Sequence, residues 1–142
     1  MFLNRLKEEQ KGLFLELAIK AAESSCGVSE EEREMITAFA KEMNIPVKYE
    51  CEKTFEQITD SLLKISSKKD LRIITFEIIG IMYSDSTYDE SEREFVKDLA
   101  GKFSLDDRLT QKMDVLIEKY SKLYAEIYEL IVNEPAVFQK MI

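Results

Sequence analysis

The chain has 142 residues, 45% of them hydrophobic, which suffices for one proper core and makes two ordinary domains unexpected. Its 28 acidic against 20 basic residues leave a formal net charge of -8 with the positive charges scattered, so phosphate-backbone binding to nucleic acid is disfavoured and cations or basic partners fit better. Histidine is absent and Cys26 and Cys51 lie in no paired motif, which removes Cys/His zinc patterns, CxxC redox chemistry, histidine-dependent hydrolase dyads and HExxH metalloproteases.

No apolar run reaches the roughly 18 residues that a membrane span needs, and the opening "MFLNRLKEEQK" lacks the apolar core and cleavage site of a secretory signal. A cytoplasmic protein with two reduced thiols is therefore expected.

In chain order, "LFLELAIKAA" at 13 to 22 is apolar on most faces, as a central helix is. Residues 30 to 43 set Met35, Ile36, Phe39, Ala40 and Met43 on one stripe. Pro46 ends continuity, and Phe55, Ile58, Leu62 and Ile65 mark a shorter helix at 54 to 66. "LRIITFEIIGIMY" at 71 to 83 is long for a strand and flanked by helices, so it reads as a buried central helix in which Gly80 allows a close crossing. Residues 89 to 103 repeat the amphipathic pattern with Phe95, Val96, Leu99, Ala100 and Phe103. From about 106 to 132, Leu109, Met113, Leu116, Tyr120, Leu123, Ile127 and Leu130 or Ile131 recur at spacings of four and three. That stripe suits a helix closing an intramolecular bundle, or a seam between chains in a homodimer. Pro135 ends it.

A shift of sixty lays Ser29 to Ile45 over Asp89 to Leu105 without a gap, matching Glu32 to Glu92, Arg33 to Arg93 and Ala40 to Ala100. Upstream, Ser24 falls on Ser84 and Ser25 on Asp85, with an apolar helix before each loop. Two helix-loop-helix units burying their apolar faces together are expected. Ser29-x-x-Glu32 and Asp89-x-x-Glu92 both have the form of capping boxes, and Glu30, Glu31 and Glu90 oppose the helix dipole in the first turn. Asp85 stands outside that explanation. Together with Asp89, Glu92 and Glu32 it supplies hard oxygen donors for a divalent cation such as calcium or magnesium, although the loop is too short for an EF-hand.

A buried helix, then "SDSTYDESE" with Asp85, Tyr88, Asp89 and Glu92, then an amphipathic helix resembles the TerB-like family, whose short motif reads A-D-G-x-h-S/D-x-x-E. The first copy, "SSCGVSEEE", keeps Val28, Ser29 and Glu32, has Ser25 for the aspartate and carries its glycine one place on, at Gly27. The resemblance implies one all-α domain over 1 to 142, a bundle of about seven helices with repeat units at about 13 to 45 and 72 to 105 and a long C-terminal helix. It also implies a fold shared with the N-terminal region of the DjlA co-chaperone and two acidic loops near each other that hold a divalent cation. The missing first aspartate bears directly on that cation.

The expected role is a non-catalytic module that docks a protein partner through its acidic loops, with or without a cation, in a stress or tellurite-resistance-type response. The alternative is a metal-dependent enzyme holding a catalytic ion on loop carboxylates. Glu16 and Glu77, placed alike inside apolar helices, are the candidate buried carboxylates, each with salt bridging as its plainer explanation. Tyr120, Tyr124 and Tyr128 offer either a homodimer contact or cover for the bundle.

Overall fold

Most helices in this chain begin where a side chain closes the first turn. Ser29, Thr54, Ser67 and Asp89 each accept the backbone N–H three residues on, and Glu32, Gln57, Asp70 and Glu92 reach back to the cap's own N–H. These caps open α2 (Glu30–Met43), α3 (Phe55–Ile65), α4 (Lys68–Met82) and α5 (Glu90–Lys102). Each is worth about 1 kcal/mol of helix stability. α1 (Glu8–Ala22) starts earlier than its apolar run, because Gln10 Oε1 accepts the Lys7 N–H at 2.7 Å and satisfies the first turn. α6 (Asp107–Val132) follows Asp106, whose Oδ1 accepts the Arg108 N–H at 2.7 Å.

Residues 1–24, 27–83 and 89–132 are described by a computed structural model of the chain. Among the described residues there are six α-helices, one 3-10 turn at Leu3–Arg5 and no strand. The isoleucine-rich segment is thus helical, and the fold is an all-α bundle. No helix among the described residues is long and apolar enough to cross a membrane. Cys26, Asp85 and Pro135 lie outside the described residues.

α1 and α4 form the centre. α1 packs on α2, α3 and α4, while α4 packs on α5 and α6 as well as α1. One continuous core runs through the bundle, and Phe14, Leu17, Ile19, Ile36, Ile58, Leu62, Ile74, Ile78 and Leu99 all belong to it. Each such burial contributes about 1.5–3 kcal/mol.

The burial pattern recurs at an offset of sixty. Phe14, Leu15, Leu17, Ala18, Ile19, Ala21 and Ala22 are buried in α1, and so are their counterparts from Ile74 to Met82 in α4. In α2 and α5, Glu32, Ile36, Phe39, Ala40 and Met43 correspond to Glu92, Val96, Leu99, Ala100 and Phe103, all buried. Both helices end in the same left-handed turn, at Asn44 (φ 57°) and Ser104 (φ 55°). There the Ile45 and Leu105 amides return to the Ala40 and Ala100 carbonyls at 3.0 and 2.8 Å.

Three sequence expectations need correction. A Cβ on Gly80 would stand 3.9 Å from Met35 Cε, an ordinary contact, so no close crossing requires the glycine. Glu16 and Glu77 are one position out of register, since sixty carries Glu16 to Phe76 and Leu17 to Glu77. Only the first half of α6 closes the bundle: Met113 and Ile117 are its buried residues, and the stripe beyond them faces outward.

Candidate functional site at the acidic end of the bundle

Helix direction decides where the loops fall. α1 and α2 are joined by a short connection and pack together, so they run antiparallel, as do α4 and α5. Met35 of α2 lies beside Gly80 of α4, and farther along α2 Glu42 shares the Met1 ammonium with Glu77, so α2 also runs antiparallel to α4. α1 and α4 are therefore parallel. At their N-terminal ends Gln10 Nε2 donates to Ser66 Oγ and Asp70 Oδ2, both at 3.0 Å. The C-terminal ends of α1 and α4 and the N-terminal ends of α2 and α5 consequently share the opposite end of the bundle.

That end carries Glu30, Glu31, Asp89 and Glu90 in exposed positions at two positive helix termini. Glu32 and Glu92 lie beneath them, 0% and 1% exposed. Glu32 Oε1 accepts the Ser29 N–H at 2.8 Å and Glu92 Oε1 accepts the Asp89 N–H at 3.1 Å, and Oε2 of each is shielded from solvent. Asp89 Oδ1 accepts the Glu92 N–H at 2.9 Å. The structure thus joins Asp89 to Glu92 directly, and sets Glu32 in the equivalent place of the other loop.

A cation here has to compete with the caps. Three of the four sequence-derived donors, Asp89, Glu92 and Glu32, hold helix termini, and among the described residues no group of three Asp, Glu, Cys or His side chains is arranged to hold a metal ion. The fourth, Asp85, lies outside the described residues.

Beside the second loop, Tyr83 Oη donates to Asp114 Oδ1 at 3.0 Å, and Arg93 Nη1 stands 3.7 Å from Asp114 Oδ2. Burial and the Asp114 carboxylate push the Tyr83 hydroxyl up to about 12. At the first loop Arg33, the counterpart of Arg93, stacks on Tyr49 at 4.1 Å, and Tyr49 Oη lies 2.6 Å from Thr37 Oγ1. Each loop is thus flanked by an arginine and a tyrosine. Sequence reasoning matched the arginines but missed the tyrosines, whose positions differ in the two halves.

The two carboxylates inside apolar helices are both neutralised. Glu16 Oε1 meets Lys53 Nζ at 3.1 Å, and its Oε2 accepts the Cys51 thiol at 3.3 Å with Lys48 Nζ 3.7 Å away. Burial would raise the Glu16 carboxyl, but the Cys51 and Lys53 hydrogen bonds and both lysine charges outweigh it and hold the group below its ordinary value. Glu77 Oε2 accepts from the Met1 ammonium and the Phe2 N–H, both at 2.8 Å. The salt-bridge explanation holds for both, and the partner of Glu77 is the chain terminus, which no side-chain pattern reveals.

Family models, curated proteins and solved structures were all compared with the chain, and none matches it.

Proposed function

We propose that this chain is a non-catalytic, TerB-like helical module that docks a protein partner at its acidic end, with or without a divalent cation such as calcium or magnesium on its loops. In this reading one helix-loop-helix unit occurs twice, at 8 to 45 and 68 to 105, and an approximate twofold axis runs between α1 and α4. The setting is a cytoplasmic stress or tellurite-resistance-type response, as the resemblance of the loop motif implies.

The observation that carries the reading is the agreement of two independent features at one offset. Caps, buried positions and left-handed turns recur after sixty residues, and Gln10 bonds Asp70, its own counterpart. A twofold relation brings equivalent residues together on its axis. Parallel central helices then put both loops at one end, where a single partner spans both. The positive ends of α2 and α5 meet the negative ends of α1 and α4 there and offset one another, so it is the exposed carboxylates that give that end a surface for basic groups or a cation.

Calorimetric titration with calcium, magnesium, manganese and zinc tests it. Asp89→Asn keeps the cap and removes the charge, because asparagine caps as well as aspartate. Saturable heat from calcium or magnesium, weakened about tenfold or more in Asp89→Asn and Asp85→Ala, supports the reading. Absence of heat from every ion, or equal heat in the variants, removes the cation from it.

A further inference from the structure

From Glu118 to Val132 α6 contains no buried residue, yet its apolar stripe continues without a break. Leu116, Tyr120, Leu123, Ile127 and Leu130 are 46 to 65% exposed, with Tyr124 and Ile131 on their flank at 55 and 75%. Together these seven side chains present on the order of 700 Å² to water, above the few hundred Å² usual on a monomer and close to the ~800 Å² per partner of a stable interface. Tyr120, Tyr124 and Tyr128 stack along one edge with ring centroids 6.1 and 6.3 Å apart, which orders that surface in advance.

We propose that the occupant of this stripe is a second copy of the chain, its α6 laid antiparallel on the first. The inference does not depend on the loops. Charge selects both the partner and the direction. With the twofold axis between Tyr120 and Leu123, Tyr120 packs on Leu123 of the second copy and Leu116 on its Ile127. Lys119 and Glu126 each flank the stripe on the same side, so Lys119 of either copy faces Glu126 of the other, and two opposite-charge pairs close the seam. A parallel, in-register pair instead places Lys119 against Tyr124 and Glu126 against Ile131, leaving both charges on apolar neighbours.

The bundle offers a second fit. Where α6 leaves α4, a groove of about 350 Å³ opens between Met35, Phe39, Phe76, Gly80, Ile117 and Tyr120. In the antiparallel register the second copy's Leu123, Tyr124 and Ile127 run alongside Ile117 and Tyr120, the α6 wall of that groove. Each arm then covers its partner's groove as well as its partner's stripe.

Light scattering on the intact chain, with charge-swap variants, tests this. All the substituted positions are exposed, and the thermal melt of each variant shows that the bundle is intact. The native protein is expected at twice the chain mass. Lys119→Glu or Glu126→Lys alone creates two like-charge contacts and weakens the dimer roughly five- to tenfold, and the double swap restores it. Leu123→Asp gives monomer. A native monomer at about 100 μM, where even weak pairs form, overturns the proposal. So does a dimer indifferent to Leu123→Asp, a double swap that fails to restore, or dimerisation seen only after removal of residues 133 to 142.

Discussion

Gln10 donates from Nε2 to Asp70 Oδ2 at 3.0 Å, and both residues occupy the third position of a central helix, sixty places apart. Gln10 is fully buried, and its carbonyl oxygen holds the Lys7 N–H while its amide also reaches Ile65 O and Ser66 Oγ. Gln10→Ala is expected to cost about 1–3 kcal/mol, because the half-buried Ile65, Ser66 and Asp70 and the Lys7 amide lose their bonds to this buried side chain. Asp70→Ala should cost about 1–2 kcal/mol through the lost cap. If the two act as one joint, the double variant falls short of the sum by about 0.5–3 kcal/mol in urea unfolding. Simple additivity would show that the contact contributes nothing.

The acid limb of stability follows from Asp70 and Glu16. Burial would raise Asp70, but the Ser67 N–H, the Gln10 amide and the Ser67 hydroxyl hold its carboxyl below the ordinary 3.8. Glu16 is likewise held below 4.5 against its burial. Both folded values are depressed, so their contribution is complete above the ordinary values and is lost as pH falls through the lowered ones. Melting temperature measured from pH 6 to 2 should fall less steeply in a Glu16→Gln, Asp70→Asn variant than in the native chain.

On the alkaline side the Met1 ammonium decides. Burial would lower it, yet Glu77 and Glu42 raise it above 8.0. A raised value gives stability that is complete below pH 8 and lost as pH rises through the folded value. Tyr83 is lost in the same sense only between its ordinary 10.0 and about 12, and the Cys51 thiol, pushed up by burial and the Glu16 carboxylate, only above its ordinary 9.0, so a scan from pH 7 to 9 isolates the terminus. Glu77→Gln should flatten that scan and cost about 1–3 kcal/mol at pH 7 by leaving the ammonium and the Phe2 amide poorly matched.

Two glycine exchanges should each stabilise, in opposite directions. Ser104 holds φ at 55°, a region that costs a residue with a Cβ roughly 1–2 kcal/mol, so Ser104→Gly is expected to raise stability by about 0.5–1 kcal/mol. Gly80 sits inside α4 with room for a methyl group, so Gly80→Ala should add about 0.5–1 kcal/mol. Denaturant midpoints read both. A loss in Gly80→Ala would mean that the α2 to α4 crossing is tighter than the Met35 contact indicates.

Local chemistry made much of the fold legible in the sequence. Ser29 with Glu32 and Asp89 with Glu92 announced their helices, since capping is settled within four residues. Apolar spacing found the core faces of α2 and α5 and the helicity of the segment at 71 to 83. What the sequence hid is tertiary. The Gln10 to Asp70 bond needs two helix starts brought together, the Glu77 partner is a backbone terminus, and the Ser104 turn gives no residue signal of its kind. The α6 stripe shows that one face seeks cover, but periodicity does not say where the bundle stops. At the site, Asp89, Glu92 and Glu32 were recognisable as caps and as donors alike, because both roles use the same oxygens.

Amide-resolved NMR titration with calcium and magnesium tests most directly whether both loops serve one docking end. The signals of Ser29 to Arg33 and of Asp89 to Arg93 are expected to move together on a single binding curve, while the Gln10 and Asp70 end stays fixed. Movement confined to one loop, scattered over the bundle, or absent with both ions would contradict the joint site.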